Sequence, residues 1–100
     1  MPVYSVTELD VSDPDGMKKF GEQADKLVKA QGGKFLVRPQ GKIEAKVGEA
    51  PKHLVIIQWE SLEKAQAYYQ SEEYKKISPI RDKATTKTRI YIADGADEHA

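Results

Sequence analysis

An α+β fold is what the 100-residue sequence predicts, with an antiparallel sheet and both helices on one of its faces. Hydrophobic periodicity changes along the chain in the order strand, helix, strand, strand, helix, strand. Right-handed crossovers then bring both helices to the same side of the sheet. The length suits one domain with one core, so residues 1–95 are expected to fold as a unit and 96–100 to form a short polar tail.

The elements follow in turn. Val3, Tyr4, Val6, Thr7 and Leu9 make a strand rich in branched and aromatic residues, ended by the polar "DVSDPDG". Ser12 or Asp13 caps a helix whose first turn takes Pro14 and Asp15, and Met17, Phe20, Ala24, Leu27 and Val28 form its apolar stripe. Gly32 or Gly33 ends it in the left-handed conformation. "KFLVR" is the second strand and "PQGK" the turn after it, while Ile43 to Ala50 is expected as a short ribbon with a loop. "HLVIIQW" is the third strand. "ESLEKAQAYY" is a helix capped by Ser61, with Leu62, Ala65 and Tyr69 on one face. Ser71 caps a further helical segment through Tyr74 and Ile77, which Pro79 kinks or restarts, and "TRIYIADG" is the last strand.

This order is the split βαβ, or ferredoxin-like, βαββαβ arrangement. In its third strand Val55, Ile57 and Trp59 point one way, and Leu54 and Ile56 the other. Helices cover one face only. An apolar face of several hundred Å² is more than soluble monomers leave bare, so an identical subunit is expected to cover it, sheet to sheet, in a homodimer.

Composition removes several classes of function. Sixteen basic and sixteen acidic residues balance to zero, which gives no general attraction to nucleic acid or to an anionic membrane. Without cysteine there is no disulfide, thiolate metal site or cysteine nucleophile. His53 and His99, far apart and without carboxylates at ligand spacing, make no metal constellation, and "QGGK" lacks the spacing of a phosphate loop. No cofactor is expected. With no leader-like start and no apolar run of membrane length, the chain reads as a soluble, cytoplasmic protein.

The segments "DPDGMKKF", "GGKFLVR", "YYQSEEY" and "PIR", in this order and at these separations, resemble the family of domain of unknown function 1330 (DUF1330), small proteins of the dimeric α+β barrel superfamily. The likeness runs from Tyr4 to about Gly95. It implies a ferredoxin-like subunit that pairs face to face, and it implies no established reaction. Where the family usually closes the third strand with a glutamate, this chain has Gln58 before Trp59, which removes a general base from that position. Where the family often has tryptophan in the helix, Tyr68 keeps an aromatic wall and adds a hydroxyl.

Five residues are candidates for a ligand site: Arg38, Tyr69, Ser71, Tyr74 and Arg81. Arg38 ends a strand and Arg81 follows Ile77 and Ile80 at helical spacing, so each fork reaches either a carboxylate ligand or a structural ion pair. Ser71 reads first as a helix cap. Tyr69 and Tyr74 lie five apart across that cap, so one is expected in the core and the other in a cavity. Two functions remain open: a cofactor-free enzyme acting on a small organic acid, or a non-catalytic module that binds a metabolite or a partner.

Overall fold

The computed structural model describes residues 2–38 and 42–95. The expected tail and the start of the "PQGK" turn lie outside the described residues. Its elements are β1 (Val3–Val11), α1 (Pro14–Ala30), β2 (Lys34–Val37), β3 (His53–Trp59), α2 (Leu62–Gln70), α3 (Glu72–Ala84) and β4 (Thr85–Asp94). The four strands form one antiparallel-paired sheet in the order β2-β3-β1-β4. That is the ferredoxin-like fold expected from the order of periodicities.

Local chemistry sets each junction. The Asp13 carboxylate, not Ser12, accepts from the Gly16 amide at 3.2 Å and caps α1. The helix ends in a Schellman turn: the Gly33 amide reaches Val28 O at 2.9 Å, the Gly32 amide reaches Lys29 O at 3.0 Å, and Gly32 takes a φ of 81°. Gly33 is required for a different reason. A Cβ there would lie 2.7 Å from Val28 Cγ1 and 2.9 Å from Trp59 Cζ3, so only glycine lets the chain leave α1 this close to the core. The segment after β2 departs from expectation. Its described residues 42–52 form neither helix nor strand, with alternating charges exposed, Val47 bare to solvent and Gly48 at a φ of 73°.

The core lies between the helices and one sheet face. Phe20, Ala24 and Val28 of α1 meet Ile57 and Trp59 of β3, Ala65 and Tyr68 of α2, and Tyr74 and Ile77 of α3. The buried face of α2 is centred on Ala65 and Tyr68, while Leu62, expected inside, is 45% exposed. Trp59 is sealed in, and its indole N–H donates to Ser5 Oγ at 3.0 Å, which satisfies the one polar residue buried with the core among the described residues.

Strand β4 begins three residues before the expected start. Thr85 follows α3 directly and its hydroxyl donates to Arg81 O at 3.0 Å, so the branched threonines of 85–88 join the sheet without a loop. Helix α3 also runs through Pro79 without a break. The proline withholds the amide that Lys75 O would accept, and the Ser78 hydroxyl donates to that carbonyl instead, at 3.2 Å. Among the described residues no helix is long and apolar enough to cross a membrane.

Candidate functional site

The helices do not close completely over the sheet. Between α1, α3 and the covered face lies a cavity of about 590 Å³, reached by side chains of β1, β2, β3 and β4 as well. Four of the five candidate residues line it: Arg38, Tyr69, Tyr74 and Arg81. Ser71 does not, and its place in the fold is structural.

Ser71 creates the turn that assembles the tyrosines. With an extended backbone at φ −67° and ψ 150°, it ends α2 and starts α3. Its hydroxyl donates to Tyr68 O at 2.8 Å and accepts from the Tyr74 amide at 3.1 Å, so one oxygen caps both helices. The break turns Tyr74 back toward Tyr69. Their ring centroids are 5.2 Å apart, and Tyr68 stands 4.7 Å from Tyr69 and 4.9 Å from Tyr74, all near edge-to-face. The expected division into one core and one cavity tyrosine is therefore replaced by a cluster of three rings, with Tyr68 the most buried.

Burial pushes the hydroxyls of Tyr68, Tyr69 and Tyr74 above their ordinary range. Tyr74 and Tyr69 add to the rise at Tyr68, whereas the Ser5 and Thr7 hydroxyls oppose it at Tyr69 and the Arg81 guanidinium opposes it at Tyr74. The cavity thus holds neutral phenols beside a cation.

Arg81 is the most enclosed charge of the site, its side chain only 11% exposed. One guanidinium nitrogen donates to the Tyr74 hydroxyl, while Nε and Nη2 both reach Asp82 Oδ1, at 3.3 and 2.9 Å. The group lies 5.6 Å from the ring centres of both Phe20 and Tyr74. Burial works against its charge, but Tyr74 and Asp82 outweigh that, and its pKa moves upward. Arg38 is more open. It pairs with Asp25 at 3.2 Å and lies over the Phe35 ring at 4.2 Å, with half its side chain exposed. Asp25 also bonds Lys29, and these cations hold its carboxyl below the usual range against a smaller effect of burial. Each arginine therefore has its own carboxylate, so no ligand is needed to offset repulsion between them.

One lining residue was weighed in the sequence only as a metal ligand and left out of the candidate site. His53 opens β3 on the cavity wall, and its Nδ1 is buried without a hydrogen-bond partner among the described residues. The signal was the strand's own alternation: Trp59, Ile57 and Val55 extrapolate to His53 on the same face. The same alternation places Gln58 on the opposite face, paired across the sheet with Tyr4 and Lys34, so its missing carboxylate does not concern this cavity. Among the described residues no three His, Asp or Glu side chains gather as a metal site.

Residues 2–96 match the family described as Domain of unknown function (DUF1330). The chain belongs to the DUF1330 family. No curated protein matches this DUF1330 chain. Solved structures resemble it in fold at low identity. A protein of unknown function from Rhodopseudomonas palustris is 16% identical with a TM-score of 0.75, over 96% of this chain and 83% of its own. A dimeric ferredoxin-like protein of unknown function from Thermobifida fusca is 13% identical with a TM-score of 0.64, over 93% and 90%. SnoaB, a cofactor-independent oxygenase from Streptomyces nogalater, is 10% identical with a TM-score of 0.70, over 96% and 94%. These likenesses agree with the ferredoxin-like fold of the DUF1330 chain.

Proposed function

We propose that this DUF1330 protein binds a small organic acid in the cavity between helices and sheet, and does so as a homodimer. The observation that carries the reading is Arg81. A guanidinium has five N–H donors, and three of them face Tyr74 and Asp82, which leaves two without an acceptor among the described side chains. Because Tyr74 accepts from Arg81, its own O–H remains to donate. Two N–H groups and a phenol at the wall of a largely apolar cavity are the donor set that a carboxylate takes, and in a shielded site such charge-assisted bonds are about twice as strong as neutral ones. Arg38 adds positive charge at the wetter side.

The homodimer is supported by the Thermobifida fusca protein, whose structure is described as dimeric. It is also supported by the helix-free sheet face, where Leu36 and Tyr91 are 45% and 47% exposed.

A catalytic reading is favoured by His53. An imidazole that lines the same cavity as Arg81, from the sheet side, is an ionisable base within the space a bound acid would occupy, which is what Gln58 cannot supply. SnoaB performs cofactor-independent oxygenation on the same fold, a precedent for chemistry without a cofactor but not for a particular reaction.

The test is thermal. Monocarboxylic acids at a hundredfold excess over their dissociation constant should stabilise the protein by about 2.7 kcal/mol, an effect that Arg81→Gln abolishes and Tyr74→Phe weakens while both variants keep the native circular dichroism. If no acid moves the melting temperature of the unaltered protein, the reading fails. It fails equally if Arg81→Gln responds to acids as the unaltered protein does.

A further inference from the structure

The cavity wall concentrates rings. Both phenylalanines of the chain, Phe20 and Phe35, and three of its five tyrosines line this single space. Trp59, at 1% exposure, is closed into the core and does not reach this space. Here the rings surround about 590 Å³ of open volume, within the range of pockets that hold drug-sized ligands and well beyond what a two- or three-carbon acid occupies.

Their orientation matters as much as their number. Tyr69 meets Tyr74 at 83° and Tyr68 at 72°, while Tyr68 meets Tyr74 at 60°. Such a herringbone presents ring edges and faces together, the arrangement a further ring joins with favourable quadrupole contacts. The charged group sits inside this frame, since the Arg81 guanidinium lies 5.6 Å from the Phe20 and Tyr74 centroids alike. A carboxylate bonded to its fork therefore has its substituent carried straight between aromatic walls. A planar acid enters such a slot with few rotors to freeze, whereas a flexible aliphatic acid loses chain entropy there.

We propose that the acid held at Arg81 is an aromatic carboxylic acid, with its ring packed among Phe20, Tyr69 and Tyr74. This rests on the acid-binding reading above and names the ligand class within it. The Tyr68 hydroxyl makes no side-chain hydrogen bond within the described residues and is available to a polar substituent on that ring.

The experiment compares acids of equal charge and similar size. The 100-residue protein is titrated with benzoate, 2-naphthoate and cyclohexanecarboxylate, followed by amide and aromatic NMR shifts. Benzoate should bind at least about threefold tighter than cyclohexanecarboxylate and 2-naphthoate about tenfold tighter, the scale of one to two aromatic contacts. Tyr69→Leu should bring benzoate down toward the saturated acid. If cyclohexanecarboxylate matches both aromatic acids, the aromatic preference is overturned while acid binding stands. If none of the three binds, both readings fall. Aromatic acids that bind Arg81→Gln as tightly as the unaltered protein overturn the placement of the carboxylate.

Discussion

His53 shows how a site residue can be legible and still be missed. Val55, Ile57 and Trp59 declare the covered face of β3, and two steps back along the same alternation stands the histidine, but a polar residue at a strand start reads as an edge. Its Nδ1 is buried with no partner among the described residues, and an unmet buried polar atom costs about 1–3 kcal/mol. Replacing His53 by Leu should therefore leave stability unchanged or raise it by up to about 1 kcal/mol in urea titration; a loss of more than that would mean the imidazole has a partner in solution. The tyrosine cluster supplies a test with a definite sign. Tyr68, Tyr69 and Tyr74 have folded pKa values above the unfolded value of about 10. Their neutral forms support the fold fully below that pH, and above it the unfolded chain binds fewer protons, so stability falls by up to about 1.4 kcal/mol per pH unit for each tyrosine. Phenolate absorbance from these three should appear together with unfolding. Gradual ionisation while the circular dichroism stays native would show the rings to be open to water.

The helix pair α2–α3 was legible in its punctuation and illegible in its angle. Serine at 61 and 71 marked both starts correctly, because a side-chain oxygen before a helix has one economical use. The direction in which α3 leaves Ser71 depends on packing against α1 and the sheet, so the meeting of Tyr69 with Tyr74 could not be read from a spacing of five. For a related reason Pro79 does not restart the helix: the carbonyl its missing amide leaves free is taken by the hydroxyl of its neighbour Ser78, a contact set by rotamer and not by sequence pattern. Ser71→Ala removes a donor and an acceptor at one stroke and should cost about 1–2 kcal/mol, a fall in melting temperature of roughly 4–16 °C for a domain of this size. Ser71→Asp keeps the acceptor for the Tyr74 amide and should cost less. Neither change touches the cavity lining, so acid-induced stabilisation of the folded variants should persist. Its loss in both would mean that Ser71 belongs to the site after all.

The molecule is a slab of 42 × 37 × 17 Å, one layer of helices on one sheet, and a slab has two broad sides. Helices cover one. On the other, Val6 and Ile56 pair across the centre of the sheet, with Tyr91 beyond Val6, while the Tyr91 hydroxyl donates to Glu8 at 2.7 Å toward the polar margin. An apolar centre with a charged rim is how self-associating faces are built, and a side of this breadth readily provides the roughly 800 Å² per partner of a standard interface. Sequence reasoning reached this face through β3 alone, where the alternation already sets Ile56 and Ile57 on opposite faces. Ile57 is 4% exposed within the helix-side core, so a charge there should unfold the chain, whereas a charge at Ile56 enters only the open face. The protein should therefore elute near twice its 11.2 kDa mass at micromolar concentration, and Ile56→Asp should shift it to a folded monomer with helix and strand content retained. Since a dimer adds its association free energy to apparent stability, the unaltered protein should also melt at higher temperature as its concentration rises, and Ile56→Asp should lose that dependence. A folded, concentration-independent monomer of the unaltered chain at millimolar concentration would mean that the exposed face is tolerated as it stands, and the homodimer would have to be abandoned.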